Sequence, residues 1–221
     1  MVKEAPLYYA YSDDSPTLAG QENHLAVAAV ITMKAGNKAL ARIPKRVRQR
    51  TANKKLRQLP ELKFYNSDEK TRMRMLQMIA NTQAEIFTLV VDKEGRRVSD
   101  SPVNNGVVLG NAVATVLKEK GKVSWTPDRK FVNLDDTTRY MDTAIMVASS
   151  KIPSGFLVMN EPADSQREGL IQLADFVVGT ISYKYNWNDE RFYQIIKDRI
   201  VLEELVRWKD IKADYIRQQK R

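Results

Sequence analysis

Three runs rich in strand formers are each closed by an acid: Leu7 to Ser12 by Asp13, Ala84 to Val91 by Asp92, and Phe131 to Leu134 by Asp135. Strand ends along one edge of an α/β sheet are where ligands bind, because side chains from separated parts of the chain meet there. Carboxylates gathered in this way repel one another. A divalent cation removes that cost, and two such ions can clamp a phosphodiester for in-line attack by water. One strand-end aspartate is ordinarily a turn or a helix cap; several point to metal chemistry. A further acid, Asp175, borders the helically spaced apolar stripe of Leu170, Ala174, Val177, Val178 and Ile181. A charge there is costly unless paired or metal-bound. Gly179, one turn on, permits close approach of another element. Glu61-Leu62-Lys63 sets an acid and a cation on one side of an extended segment. That arrangement suits a metal ligand beside an electrostatic aid, or a plain salt bridge.

The composition restricts which metals fit. The chain has no cysteine and a single histidine, His24, so thiolate zinc sites, iron–sulfur clusters, cysteine nucleophiles and two-imidazole sites are excluded. Any metal must be held mainly by oxygen, which selects Mg²⁺ or Mn²⁺. His24 lies inside an apolar run and reads as a satisfied core or edge residue. Neither a Gly-x-x-x-x-Gly-Lys loop nor a Gly-x-Ser-x-Gly elbow occurs, so P-loop and serine-hydrolase chemistry are set aside. The longest apolar stretch, Leu25 to Met33, is about half the length needed to cross a bilayer as a helix. A soluble, cytoplasmic protein without a membrane partner is expected.

Charge is unevenly placed. The 221 residues hold 36 Lys+Arg against 27 Asp+Glu, a net +9. The stretch from Lys34 to Arg74 carries about +11 by itself, leaving the remainder near neutral. Its densest part, Lys45, Arg46, Arg48, Arg50, Lys54, Lys55 and Arg57, is expected on a helix opened by Pro44. A solvated helix face is the plain reading; contact with nucleic-acid phosphates, DNA or RNA, is the functional one. No aromatic residue is interleaved with these charges, so base stacking by this segment is not expected.

The elements that must position these groups follow from periodicity. Strands are expected at Leu7 to Ser12, His24 to Met33, Ala39 to Ile43 (after a turn at Gly36-Asn37), Ala84 to Val91, Phe131 to Leu134 and Phe156 to Met159. Helices are expected over the basic segment, Ser67 to Thr82, Asn105 to Lys120, Thr138 to Ser149 and Ser165 to Tyr185. Leu202, Leu205, Trp208, Ile211 and Tyr215 suggest a last amphipathic helix. Strands in hairpin order followed by strands alternating with helices indicate an α/β fold, a mixed sheet with helices on both faces. Residues 1–186 read as one domain and residues 187–221 as a helical C-terminal extension, which could serve a homo-oligomer or another protein.

The motifs, taken in order, resemble a known family. Tyr11-Ser12-Asp13-Asp14-Ser15 resembles the Asp-Glu-Ser-Gly opening of a prokaryotic and phage family, a domain of unknown function grouped with ribonuclease H-like folds. Glu61-Leu62-Lys63-Phe64 resembles its central Glu-x-Lys motif, and Asn133-Leu134-Asp135 its strand ending in aspartate. Asp164-Ser165 with Ile171-Gln172-Leu173-Ala174-Asp175 resembles its closing segment. The resemblance implies a ribonuclease H-like sheet whose acids bind two Mg²⁺ or Mn²⁺ ions and hydrolyse phosphodiester bonds. Asp13, Asp135 and Asp175 would be ligands, Glu61 a fourth, and Lys63 an electrostatic aid. Ser15 and Gln172 would support them by hydrogen bonds, with Asp14 and Asp164 beside them. Asp14 stands where the family has Glu, and Pro16 where it has Gly, which stiffens the turn. The alternative is a nucleic-acid-binding or assembly protein without turnover, distinguished by acids paired with Lys or Arg rather than facing one another.

Overall fold

A computed structural model describes residues 7–35, 37–152 and 156–220. Its centre is a six-stranded mixed sheet in the order β5-β4-β1-β2-β3-β6. Strand β1 (Leu7–Ser15) pairs antiparallel with β2 (His24–Thr32), and β2 pairs antiparallel with β3 (Glu85–Asp92). Strands β4 (Lys122–Pro127) and β5 (Leu157–Met159) extend β1 in parallel, and β6 (Ile200–Arg207) lies parallel to β3. The ends of β1, β3 and β4 therefore share one edge of the sheet.

Side-chain alternation divides two cores across this sheet. Tyr11, Ala26, Ala28, Val30, Ile86 and Val90 face helix α7 (Gly169–Trp187). The short helices α1 (Lys38–Ala41), α2 (Ile43–Arg50) and α3 (Lys54–Gln58), and the longer α4 (Glu69–Ala80), complete that layer. On the other face, Ala10, Leu25, Val27, Ala29, Phe87, Leu89, Val123 and Trp125 pack on α5 (Pro102–Lys120) and α6 (Leu134–Ser149). A Cβ at Gly106 or Gly110 of α5 would come within 2.6 Å of α6, so these glycines set how closely the two helices pack.

Several expectations are corrected. Ala39 to Ile43 is helical, because the Asn37 side chain accepts from the Ala39 and Leu40 N–H groups and starts α1. Gly36, the other half of the expected turn, lies outside the described residues. The basic helix breaks at Thr51, where the backbone is extended, and restarts at α3 under an Asn53 cap. Phe131 to Leu134 is no strand: Asn133 caps α6, and Val132 and Leu134 are 100% and 78% exposed. The strand lies earlier, at β4. Helix α7 begins at Gly169 rather than Ser165, with Glu168 accepting from Leu170 N–H. At the C-terminus, α8 (Tyr193–Ile196) and α9 (Trp208–Gln218) are helical, but Leu202 and Leu205 belong to β6, an edge strand of the main sheet. The β-branched pair Ile200-Val201 favours that strand.

Candidate active site

The β1 pleat sends consecutive acids to opposite faces. Asp13 follows Tyr11 onto the α7 side, while Asp14 points toward α5 and α6. Asp14 there receives the Lys130 ammonium at 2.6 Å, and Asp100 lies 3.7 Å from the same ammonium. Asp13 stays at the sheet end, its Oδ1 accepting from Asp14 N–H at 2.7 Å.

The parallel pairing of β1 with β4 supplies the next acid. Ser12 is in register with Pro127, and Asp128 N–H donates to Ser12 carbonyl at 2.8 Å. Asp128 is therefore the first residue past β4, beside Asp13. It is bridged in turn to Ala163, which leads into Asp164-Ser165. Asp175 comes from the middle of α7, and its Oδ2 accepts from Phe64 N–H at 2.6 Å. Phe64 is fixed because its ring fills the notch at Gly179, where a Cβ would stand 2.4 Å from the ring. The Gly179→Ala variant is expected to push Phe64 off Asp175 and destabilise the fold by about 1–3 kcal/mol. Thermal unfolding beside wild type checks it.

The same loop carries Glu61 and Lys63. Ser165 Oγ donates to Glu61 Oε2 at 2.6 Å, and Gln172 Nε2 donates to the Ser165 carbonyl at 2.6 Å. Helix α7 thus positions Glu61 through two hydrogen bonds. Arg48 reaches the loop from α2, donating to the carbonyls of Leu59 (2.7 Å) and Pro60. The Lys63 ammonium lies 3.8 Å from Glu61.

The electrostatics bind these groups into one cluster. Burial, then Asp128, Asp175 and Asp14, push the Asp13 carboxyl well above the usual carboxylate range, with Lys63 opposing. Burial raises Asp128 to about 6, against the pull of Lys63 and the Arg129 N–H. Burial likewise raises Asp175 to about 6, against the Phe64 N–H and Lys63. Burial disfavours the charge on Lys63, but Asp13, Asp175, Glu61 and Asp128 outweigh it and raise its pKa. The cluster holds more negative charge than one ammonium neutralises, and its donors are all carboxylate oxygens. That donor chemistry suits a hard divalent ion. As the side chains stand, no three His, Cys, Asp or Glu residues among those described converge closely enough to hold one.

No family model matches this chain, and no curated protein does. Among solved structures it is similar to a chain of the PCNA:RNase HII complex from Archaeoglobus fulgidus. The TM-score is 0.51 over 86% of this chain and 87% of that one, at 13% identity. The fold is ribonuclease H-like.

On this ribonuclease H-like sheet the sequence-derived candidates separate. Asp13, Glu61, Lys63 and Asp175 come together. Asp135 does not: it is exposed in the first turn of α6 and is absent from the charges acting on Asp13. Asp128 stands where Asp135 was expected, and the alternation of buried Val123 and Trp125 is the signal that places its strand. Asp92 sits at the same sheet edge two strands from Asp13, its Oδ1 accepting from Glu94 N–H as a turn cap. Asp164 accepts from Gln166 N–H and likewise closes a turn. Ser15 is buried, close to the Tyr65 hydroxyl. His24 has its backbone N–H held by Asn186, while its Nδ1 is buried with no hydrogen-bond partner among the described residues, against the satisfied residue expected. Lys45, Arg46, Arg50, Lys54, Lys55 and Arg57 are exposed on α2 and α3, with no ion pair to a carboxylate among the described residues. No helix among the described residues is long and apolar enough to cross a membrane.

Proposed function

We propose that this chain is a divalent-metal-dependent nuclease that hydrolyses phosphodiester bonds at the Asp13, Glu61, Asp128 and Asp175 cluster. The observation that carries the reading is the gathering of these four acids around Lys63 at one sheet end. The ribonuclease H-like fold supports it, as does the motif resemblance at Asp13, Glu61 and Asp175. The four carboxylates would hold Mg²⁺ or Mn²⁺, which supplies Lewis acidity toward a phosphoryl oxygen and activates water. The protein's own part is more specific. Ser165 and Gln172 fix Glu61, the Phe64 N–H orients Asp175, and Lys63 offsets charge on the approaching phosphate.

The exposed cations of α2 and α3 lead directly into the Glu61 loop, and we assign them to the nucleic-acid backbone. Arg48 is excepted, since its guanidinium is spent on the loop carbonyls. Reversing Lys54 and Lys55 to Glu is expected to lower the slope of log affinity against log salt by about 1.4–1.8. Filter binding at several salt concentrations tests this, and an unchanged slope moves the strand elsewhere.

The second reading, nucleic-acid binding without turnover, is favoured by one observation. Lys63 is already paired among the acids, and Asp14 is paired with Lys130. Cleavage assays with Mn²⁺, Mg²⁺ or chelator separate the two readings. Tight binding with no cutting under any metal selects the second.

A further inference from the structure

Beyond the carboxylates, an aromatic ladder climbs out of the core along the C-terminal half of α7. It starts at the buried Phe64, passes Tyr183 (ring centroids 5.1 Å apart) and ends at Trp187, 5.0 Å further. Tyr65 flanks it, 6.2 Å from Trp187. Tyr65 and Trp187 are 41% and 49% exposed, unusual for large rings in an otherwise well-covered layer. Hydrogen bonds hold Tyr65 and Tyr183, and Trp187 rests against both of their rings. The Tyr65 hydroxyl donates to Ser182 Oγ at 3.0 Å, and Arg72 donates to the Tyr183 hydroxyl at 2.9 Å with its guanidinium over the Phe64 ring.

Beside Trp187 opens a cleft of about 360 Å³, with Gln21, Glu22, Asn23, His24 and Asn186 among its walls. It pairs a ring face with side chains able to donate and accept hydrogen bonds at an edge. Its position is set by α7: Trp187 lies twelve residues past Asp175, about 18 Å along the helix, and Tyr65 bonds to it at Ser182, about 10 Å along. That separation is within the reach of a few nucleotides of a strand whose phosphate lies at the carboxylates.

We propose that Trp187 and Tyr65 form a stacking platform for unpaired nucleobases, and hence that the substrate is single-stranded where it leaves the site. A base inside a duplex has both faces covered by its stacked neighbours, whereas an unpaired, unstacked one presents a free face, irrespective of sequence. The inference rests on the nuclease reading for the direction of the strand, yet its test does not depend on cleavage.

Trp125 and Trp208 are buried, at 0% and 8% exposure, so Trp187 is the indole that a ligand can quench. Tryptophan emission of the full chain in chelator is titrated with a fifteen-nucleotide oligo(dT), an abasic strand of equal length, and a blunt duplex. The platform predicts quenching by oligo(dT) alone. By filter binding, which needs no indole, it also predicts that Trp187→Ala weakens oligo(dT) binding about 5- to 150-fold while leaving abasic-strand binding unchanged. Tyr65→Leu should act in the same direction with Trp187 intact. Equal quenching by the abasic strand, unchanged oligo(dT) affinity in both variants, or no binding of oligo(dT) overturns the platform. Base-dependent quenching without cutting in Mn²⁺ keeps the platform and removes the nuclease reading.

Discussion

Asp175→Asn is expected to abolish cleavage, by on the order of 10²-fold or more, while making the metal-free protein more stable. The two effects share one cause. The Asp175 carboxyl is raised to about 6 by burial, so above that pH the folded state carries a charge it holds poorly. A carboxyl whose folded pKa exceeds its unfolded value stabilises the fold most below the unfolded pKa. That contribution is lost as pH rises from about 4 to about 6. Asparagine keeps an oxygen for the Phe64 N–H and removes the charge. At pH 8 the variant should gain about 1–3 kcal/mol, read as a rise of about 2–12 °C in Tm, and the gain should shrink toward pH 4. Asp128, also raised to about 6, adds to the same pH window in wild type, and the steps observed belong to the coupled cluster. Differential scanning calorimetry at pH 4, 6 and 8 checks the stability half. A variant that melts lower than wild type at pH 8 removes this view of the cluster.

The second large effect separates two aspartates seven residues apart in sequence. Asp128→Asn should lose cleavage as completely as Asp175→Asn, and Asp135→Asn should retain it within about twofold, as exposed substitutions generally do. Asp128 is the first residue beyond β4 and is hydrogen-bonded through its N–H to Ser12, next to Asp13. Asp135 is a solvent-facing acid in the first turn of α6, where its charge suits the helix dipole. Single-turnover cleavage by the two variants decides between them. Loss in Asp135→Asn with retention in Asp128→Asn returns the site to the arrangement that the motif resemblance implies.

That contrast shows how far the sequence was readable. Asp13 and Asp175 were legible because each ends or borders a strongly periodic run, although β1 continues past Asp13 to Ser15 and α7 starts only at Gly169. Glu61 and Lys63 were legible from their alternate spacing. Asp128 was hidden because β4 is six residues long and interrupted by Ser124 and Thr126. Meanwhile Phe131 to Leu134 offered a more apolar run that turns out to face solvent at Val132 and Leu134. A short parallel strand is held by register with its neighbours rather than by its own hydrophobicity, and register is not written in local pattern. The same reason applies to β6. Leu202, Leu205, Trp208 and Ile211 repeat near a helical period, yet Leu205 is 55% exposed on a strand recruited by β3. The aromatic ladder was invisible for a different reason: Tyr65 and Trp187 are far apart in sequence and meet only because Gly179 lets Phe64 seat on α7.

The most direct measurement is cleavage of end-labelled single-stranded DNA, single-stranded RNA, duplex DNA and an RNA–DNA hybrid, each with Mn²⁺, Mg²⁺ or chelator. It is run for wild type beside Asp13→Asn. A carboxylate cluster that holds divalent ions predicts cutting in metal, none in chelator, and none by the variant. Cutting that survives the chelator, or full activity in Asp13→Asn, contradicts it.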